Sequence, residues 1–127
     1  MVQDDQCHAV SGTWYSAYHG RTIESASCID IDHVVPLKEA WRSGTSAWST
    51  PERRAFANGL IHSQLIAVSA GSNRAKDDKD PGDWKPPLQS YSCTCSRAWI
   101  SVKATYQLTV NPSEAACLPQ MLDTCDT

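Results

Sequence analysis

The stretch CIDIDHVVPL, residues 28–37, decides how this chain is read. Ile29 and Ile31 alternate with Asp30 and Asp32, the two-residue period of a strand with one apolar and one acidic face. Pro36 interrupts the pattern, and LKEAWRS (37–43) reads as one or two helical turns stopped by Gly44. The strand ends on Asp32, which offers hard oxygen ligands, and His33, a residue type that accepts a proton near neutral pH. Neighbours on a strand point to opposite sides, so both can serve one site only if the strand end bends, as Pro36 permits. The plainer reading makes them surface residues beside a turn.

Working outward, SGTWYS (11–16) and RTIE (21–24) flank His19-Gly20 and suggest a hairpin. Thr50-Pro51-Glu52-Arg53 suits a helix start with Thr50 as cap and Pro51 first, running to Asn58-Gly59. Gln64 to Val68 reads as a strand, Ser69 to Ser72 as a turn, and Asn73 opens a charged stretch from Arg74 to Asp80. Pro81, Pro86 and Pro87 exclude a long helix there. Tyr91, Cys95, Trp99, Val102 and Tyr106 recur at spacings of three and four, the face of a four-turn helix. Asn111-Pro112-Ser113-Glu114 starts another helix, with Leu118, Met121 and Leu122 as its apolar face and Pro119 awkwardly inside. The order predicts one α+β domain over 1–127.

Composition narrows the class. With 127 residues and 41% apolar content the chain can bury a core, and a net charge of −3 argues against coating nucleic acid by bulk charge. Six cysteines read as a disulfide framework from an oxidising compartment, hence a secreted protein. The rival, a zinc site, is disfavoured because Cys93 and Cys95 are spaced too tightly and no second close pair follows. No apolar run is long enough to span a membrane, so no membrane partner is expected. Met1 to Asp5 is polar and acidic rather than a leader, so secretion implies a leader already removed.

The second chemical stretch is SNRAKDDKDPGDWKPP (72–87), where Asn73 can cap a helix or ligate a metal and Arg74 and Lys76 supply charge for phosphate. By composition alone it is a solvated mixed-charge face. Together with DIDHVVPLKEAW (30–41), QLIAV (64–68), SGTWYSAYHG, RSGTSAW, FANG and VKATYQLTV, in this order and spacing, it resembles the secreted nuclease-like branch of the HNH endonuclease superfamily, found in fungi and actinobacteria. The resemblance runs from about Cys7 to Cys125.

That resemblance implies a ββα-metal core, residues 28–80, backed by helices over 90–125. It makes His33 the general base, Asp32 a metal ligand and Asn73 the residue that opens the core helix and completes the protein's share of the metal shell. Gln64 falls where relatives carry the Asn that orients the base. Glu39 would support either the metal shell or a loop, and Asp30 is a further candidate to support the shell. Two positions depart from the family pattern: Asp77 stands where Gly is usual, and Gly59 where Asp is common. One ion per chain is implied, with oxygen ligands that suit Mg²⁺ and alternatively Mn²⁺. Arg74, Lys76, Lys38 and Arg42 would hold phosphates, giving little sequence preference and strong salt dependence.

The substrate expected is DNA, with RNA left open, and the expected state is a monomer. The resemblance pairs Cys93 with Cys125, and the preferred framework adds Cys7–Cys28 and Cys95–Cys117. The five tryptophans and His8, His19 and His62 are read as packing, surface or structural residues. Two rivals remain: an inactive binding or effector protein on the nuclease fold, and a disulfide-rich structural or inhibitory protein, which predicts no cleft beside His33.

Overall fold

The computed structural model describes residues 2–3, 5, 9–59 and 64–125. Cys7, His8 and His62, and with Cys7 the expected Cys7–Cys28 pairing, lie outside the described residues. The fold is α+β. An N-terminal sheet joins β1 (Val2–Gln3), β2 (Ala9–Ser16) and β3 (Arg21–Ser25), all antiparallel in the order β1-β2-β3. Gly20, at φ 72°, lies in the β2–β3 connection, a backbone position that favours glycine.

The second sheet pairs β4 (Ile29–His33) with β5 (Leu65–Ser69), antiparallel, with Asp32 opposite Ile66 and His33 opposite Leu65. Strand β5 runs directly into α3 (Ala70–Lys76) because Ser69 both ends the strand and caps the helix, its hydroxyl accepting the Ser72 N–H at 3.1 Å. Residues 69–72 are thus a cap and first turn, not a free turn, and Asn73 lies inside the helix instead of opening it. Strand, strand and helix form the expected ββα unit. Ser16 Oγ accepts the Ser69 N–H at 3.0 Å and ties the N-terminal hairpin to it.

Between the two strands lie α1 (Leu37–Ser43), stopped at Gly44 with φ 145°, and α2 (Thr50–Ala57). The cap of α2 is Ser49 and not Thr50: Ser49 and Glu52 form a reciprocal capping box, which moves the cap one residue back. The chain closes with α4 (Ser92–Thr105) and α5 (Pro112–Leu122). Asn111 caps α5 with Glu114 in a second capping box, and Pro119 is accommodated on an exposed side of the helix.

The main core gathers Val34, Val35, Phe56, Trp99, Val102 and Leu118, so the residues after His33 anchor directly in it. A second cluster packs Tyr18, Val68, Cys95 and Met121 beneath the ββα unit. Helices α1, α4 and α5 are locked by Lys103, whose ammonium lies 3.2 Å from Glu39, 2.7 Å from Glu114 and 2.7 Å from the Thr109 carbonyl.

Cys93 and Cys125 are bonded, fastening α4 to the end of α5. Cys95 and Cys117 are not joined, which corrects the expected third bridge. Residues two apart on a helix face nearly opposite ways. With Cys93 turned to Cys125, Cys95 is turned into the Tyr18 cluster.

Candidate active site

The end of β4, the start of α1 and the exposed side of α3 enclose an open cleft of about 420 Å³, lined by Ile31, Asp32, His33, Leu37, Lys38, Asn73 and Arg74, with Asp77 and Asp78 on its rim. Asp32 and His33 both reach it although they are neighbours on a strand. His33 is the last residue of β4, and the chain bends there toward Pro36. The cleft thus brings together five of the expected residues: Asp32, His33, Asn73, Arg74 and Lys38.

His33 is held by its Nε2, 2.9 Å from the carbonyl oxygen of Ala57 at the end of α2. A carbonyl only accepts, so Nε2 carries the hydrogen and, in the neutral ring, Nδ1 keeps its lone pair. That arrangement leaves Nδ1 as the basic nitrogen. Gln64 does not touch the ring. It is wholly buried and pairs with Val35 as a peptide would, accepting from Val35 N at 3.0 Å and donating to Val35 O at 2.8 Å, while its own carbonyl accepts from Val34 N at 2.7 Å. It holds the turn that follows His33, while the ring contact comes from Ala57.

Asp32 is 3% exposed and meets two donors. Its carboxylate accepts from Tyr18 Oη at 2.7 Å and lies 3.1 Å from Lys76 Nζ, which also donates to the His33 carbonyl at 2.8 Å. Burial raises the Asp32 pKa, and Lys76 and Tyr18 only partly offset it. Burial likewise lowers the Lys76 pKa, with Asp32 opposing. Lys76 therefore lies beneath the cleft as the counter-ion of Asp32, away from the phosphate-holding position its charge suggested. Charge alone does not say which way a lysine points, and α3 turns this one inward.

Asn73 donates its Nδ2 to Asp30 Oδ2 at 3.0 Å. The amide is thereby oriented, and Oδ1 is the end left to accept or ligate. Asp30 touches the site through Asn73. Glu39 is buried against Lys103 and Arg42 on the far side of α1, a scaffold position outside the cleft lining. Arg42 is spent on Glu39 at 2.9 Å and Asp78 at 3.4 Å, and Lys38 lies 3.6 Å from Asp78. Arg74 makes no ion pair among the described residues. The carboxylates of Glu39, Asp80 and Glu114 also converge within 4.8 Å of one another, with the Lys103 ammonium on two of them.

Tyr18 and Ala57 are the site residues that sequence reasoning missed. Tyr18 lies 14 residues from Asp32 in a hairpin connection, and Ala57 acts through a carbonyl that every residue possesses. Neither leaves a local pattern to read.

Over 122 residues the chain is 54% identical to an uncharacterized secreted protein of Arthroderma benhamiae, an alignment covering 96% of this chain and 60% of that protein. The chain thus spans about 60% of the length of the curated relative it matches. The name of that relative agrees with the secretion expected from the cysteines, and no described helix is long and apolar enough to cross a membrane. No solved structure matches the chain. The family match covers nearly the whole fold just described: residues 2–120 fit the model of the C-terminal domain of GmrSD restriction endonucleases, and the chain belongs to that nuclease family.

Proposed function

We propose that this chain is a secreted endonuclease that uses a divalent metal to hydrolyse phosphodiester bonds of DNA, and of RNA where a strand fits the cleft. The observation that carries this reading is the His33 ring, pinned through Nε2 on Ala57 and set in one cleft with Asp32, Asn73 and Arg74. The donor chemistry suits a hard cation: a carboxylate, and an amide whose oxygen Asp30 leaves free by taking the N–H. Asp32 and Asn73 would hold the ion, preferably Mg²⁺ or else Mn²⁺, with water completing the shell. When bound, the ion supplies positive charge to the scissile phosphate and the departing oxygen.

The remaining chemistry belongs to the chain. His33 Nδ1 takes a proton from the attacking water, the ring being oriented by Ala57. Asn73 and Asp32 stay fixed during the reaction, one braced by Asp30 and the other by Tyr18 and Lys76. Arg74, exposed at the cleft, holds a neighbouring phosphate, with Lys38 beside it once released from Asp78. These contacts address the backbone, so sequence preference is low.

The test is plasmid nicking with Mg²⁺, with and without chelator, by the parent and by His33→Ala. Chelator-sensitive nicking by the parent is expected, with turnover falling roughly 10²–10⁴-fold in the variant. Equal nicking by a folded variant would remove His33 from the role of base.

A further inference from the structure

A second opening adjoins the cleft and has no part in the chemistry above. It is an apolar groove of about 350 Å³ between α1 and α2, walled by Leu37, Trp41, Phe56 and Ala57, with Arg53 and Arg54 at its edge. Two residues join it to the site. Leu37 lines both openings, and Ala57, which lines the groove, is the residue whose carbonyl holds the His33 ring.

Trp41 is the unusual wall. Trp99 is buried and donates its Nε1 to Glu114, Trp48 packs on Phe56, and Trp84 packs on Tyr18. Trp41 instead remains 51% exposed. Its indole is not loose, because the Arg53 guanidinium lies 5.2 Å from the ring centroid. Arg53 in turn is tied to the carbonyls of Thr45 and Trp48 and to the Thr50 hydroxyl. The indole is thus backed by a fixed cation, while about half of the residue's surface stays exposed at the groove. An aromatic face held in place gives up little freedom when a flat ring stacks on it.

The groove offers apolar walls and an aromatic face, with cationic groups at its edge and the His33 cleft next door. A nucleobase matches each of these features: a flat aromatic ring carried on an anionic backbone. We infer that the Trp41 groove receives an unstacked base of the strand whose phosphate occupies the His33 cleft, so the protein favours single-stranded or frayed nucleic acid over stacked duplex. The inference rests on the nuclease reading for the strand in the cleft, but its test does not require cleavage.

The test is binding of two labelled oligonucleotides, followed by fluorescence anisotropy with chelator present to prevent hydrolysis. One is oligothymidylate, and the other is a strand of the same length whose sugars carry no bases. Stacking of one base contributes about 1–3 kcal/mol, so the parent should prefer the base-bearing strand by roughly 5- to 150-fold. Trp41→Ala should bind the two strands equally, at the parent's abasic affinity, while Trp41→Phe keeps most of the preference. A groove filled by a second copy or by another segment of a longer chain would give a parent that does not discriminate. Equal affinity in the parent, no measurable binding of either strand, or a preference retained in Trp41→Ala overturns the inference. Failure of the nuclease reading would appear separately, as absence of chelator-sensitive nicking.

Discussion

Lys76 and Asp32 form an ion pair, 3.1 Å from Nζ to Oδ2, directly beneath the His33 cleft, with the two residues only 2% and 3% exposed. Neither charge is stable there alone, since burial raises the Asp32 pKa and lowers that of Lys76. Lys76→Ala leaves the Asp32 carboxylate under the cleft without its counter-ion, with Tyr18 Oη as the remaining donor. The expected loss at neutral pH is about 3–5 kcal/mol, read by denaturant unfolding.

The pH dependence of that loss has a definite sign. A carboxyl whose folded pKa is raised contributes stability at low pH that is lost as pH rises from its unfolded value through its folded one. Removing Lys76 takes away a group that lowers the Asp32 pKa, so the loss extends to higher pH. The deficit of Lys76→Ala should therefore be smaller near pH 4 than near pH 7. A deficit that is the same at both would show that the pair is not what the substitution removed.

Asp30 gives a second prediction, through Asn73. Its Oδ2 takes the amide N–H at 3.0 Å and so decides which end of Asn73 faces the cleft. Asp30→Ala should weaken Mn²⁺ binding by about 10- to 100-fold, the usual effect of losing a group that orients a ligand. Calorimetric titration of Mn²⁺ measures it, with unfolding curves showing that the variant remains folded. Unchanged affinity would mean that Asn73 needs no brace or is not a ligand.

Much of the frame around these residues is legible in the sequence because it is periodic. The alternation through Ile29 to Asp32 marks β4, and the spacing from Tyr91 to Tyr106 marks α4. Direction is where local reading fails. By its charge Lys76 reads as a phosphate contact, because charge is visible in a sequence and the phase of a seven-residue helix is not. That phase follows from Ser69, which serves as both strand end and cap. Trp41, read as packing, turns outward because the core position of α1 is taken by Ala40. The contacts that set His33 and Asp32 span 24 and 14 residues, and they depend on how α2 and the hairpin dock rather than on any neighbouring residue.

Asp77 supplies a third prediction. It follows α3 at φ 48° and ψ −128°, a backbone conformation suited to glycine, and its N–H caps the helix on the Asn73 carbonyl at 2.9 Å. A side chain there costs about 1–2 kcal/mol of strain, against roughly 0.5–1 kcal/mol for the extra freedom glycine has when unfolded. Asp77→Gly should leave the melting temperature unchanged or raise it. It also removes a carboxylate from the cleft, so KM for nucleic acid should fall, most clearly at low salt. A melting temperature lowered by several degrees would mean that the Asp77 side chain contributes more than its backbone costs.

The cysteines give the last prediction, against the framework of three bridges that their number suggests. Cys95 is buried against Tyr18, Val68 and Met121, and its thiol is pushed up to about 11, chiefly by burial. The thiolate is the reactive form, so Cys95 has both low access and a small ionised fraction at neutral pH. In the native protein at pH 7.5, iodoacetamide should leave Cys95 unlabelled over the time that fully modifies a free cysteine in a short peptide. In denaturant without reductant, Cys95 and Cys117 should both label, while Cys93 and Cys125 should not, because they are bonded to each other. Peptide mapping by mass spectrometry separates these cases. Protection of Cys95 and Cys117 in denaturant, with a peptide linking them, would restore the third bridge and require α4 to rotate so that Cys95 leaves the cluster beneath Asp32. Labelling of both in denaturant, with Cys95 silent in the native state, fixes the phase of α4, and with it the Tyr18 side chain that donates to Asp32.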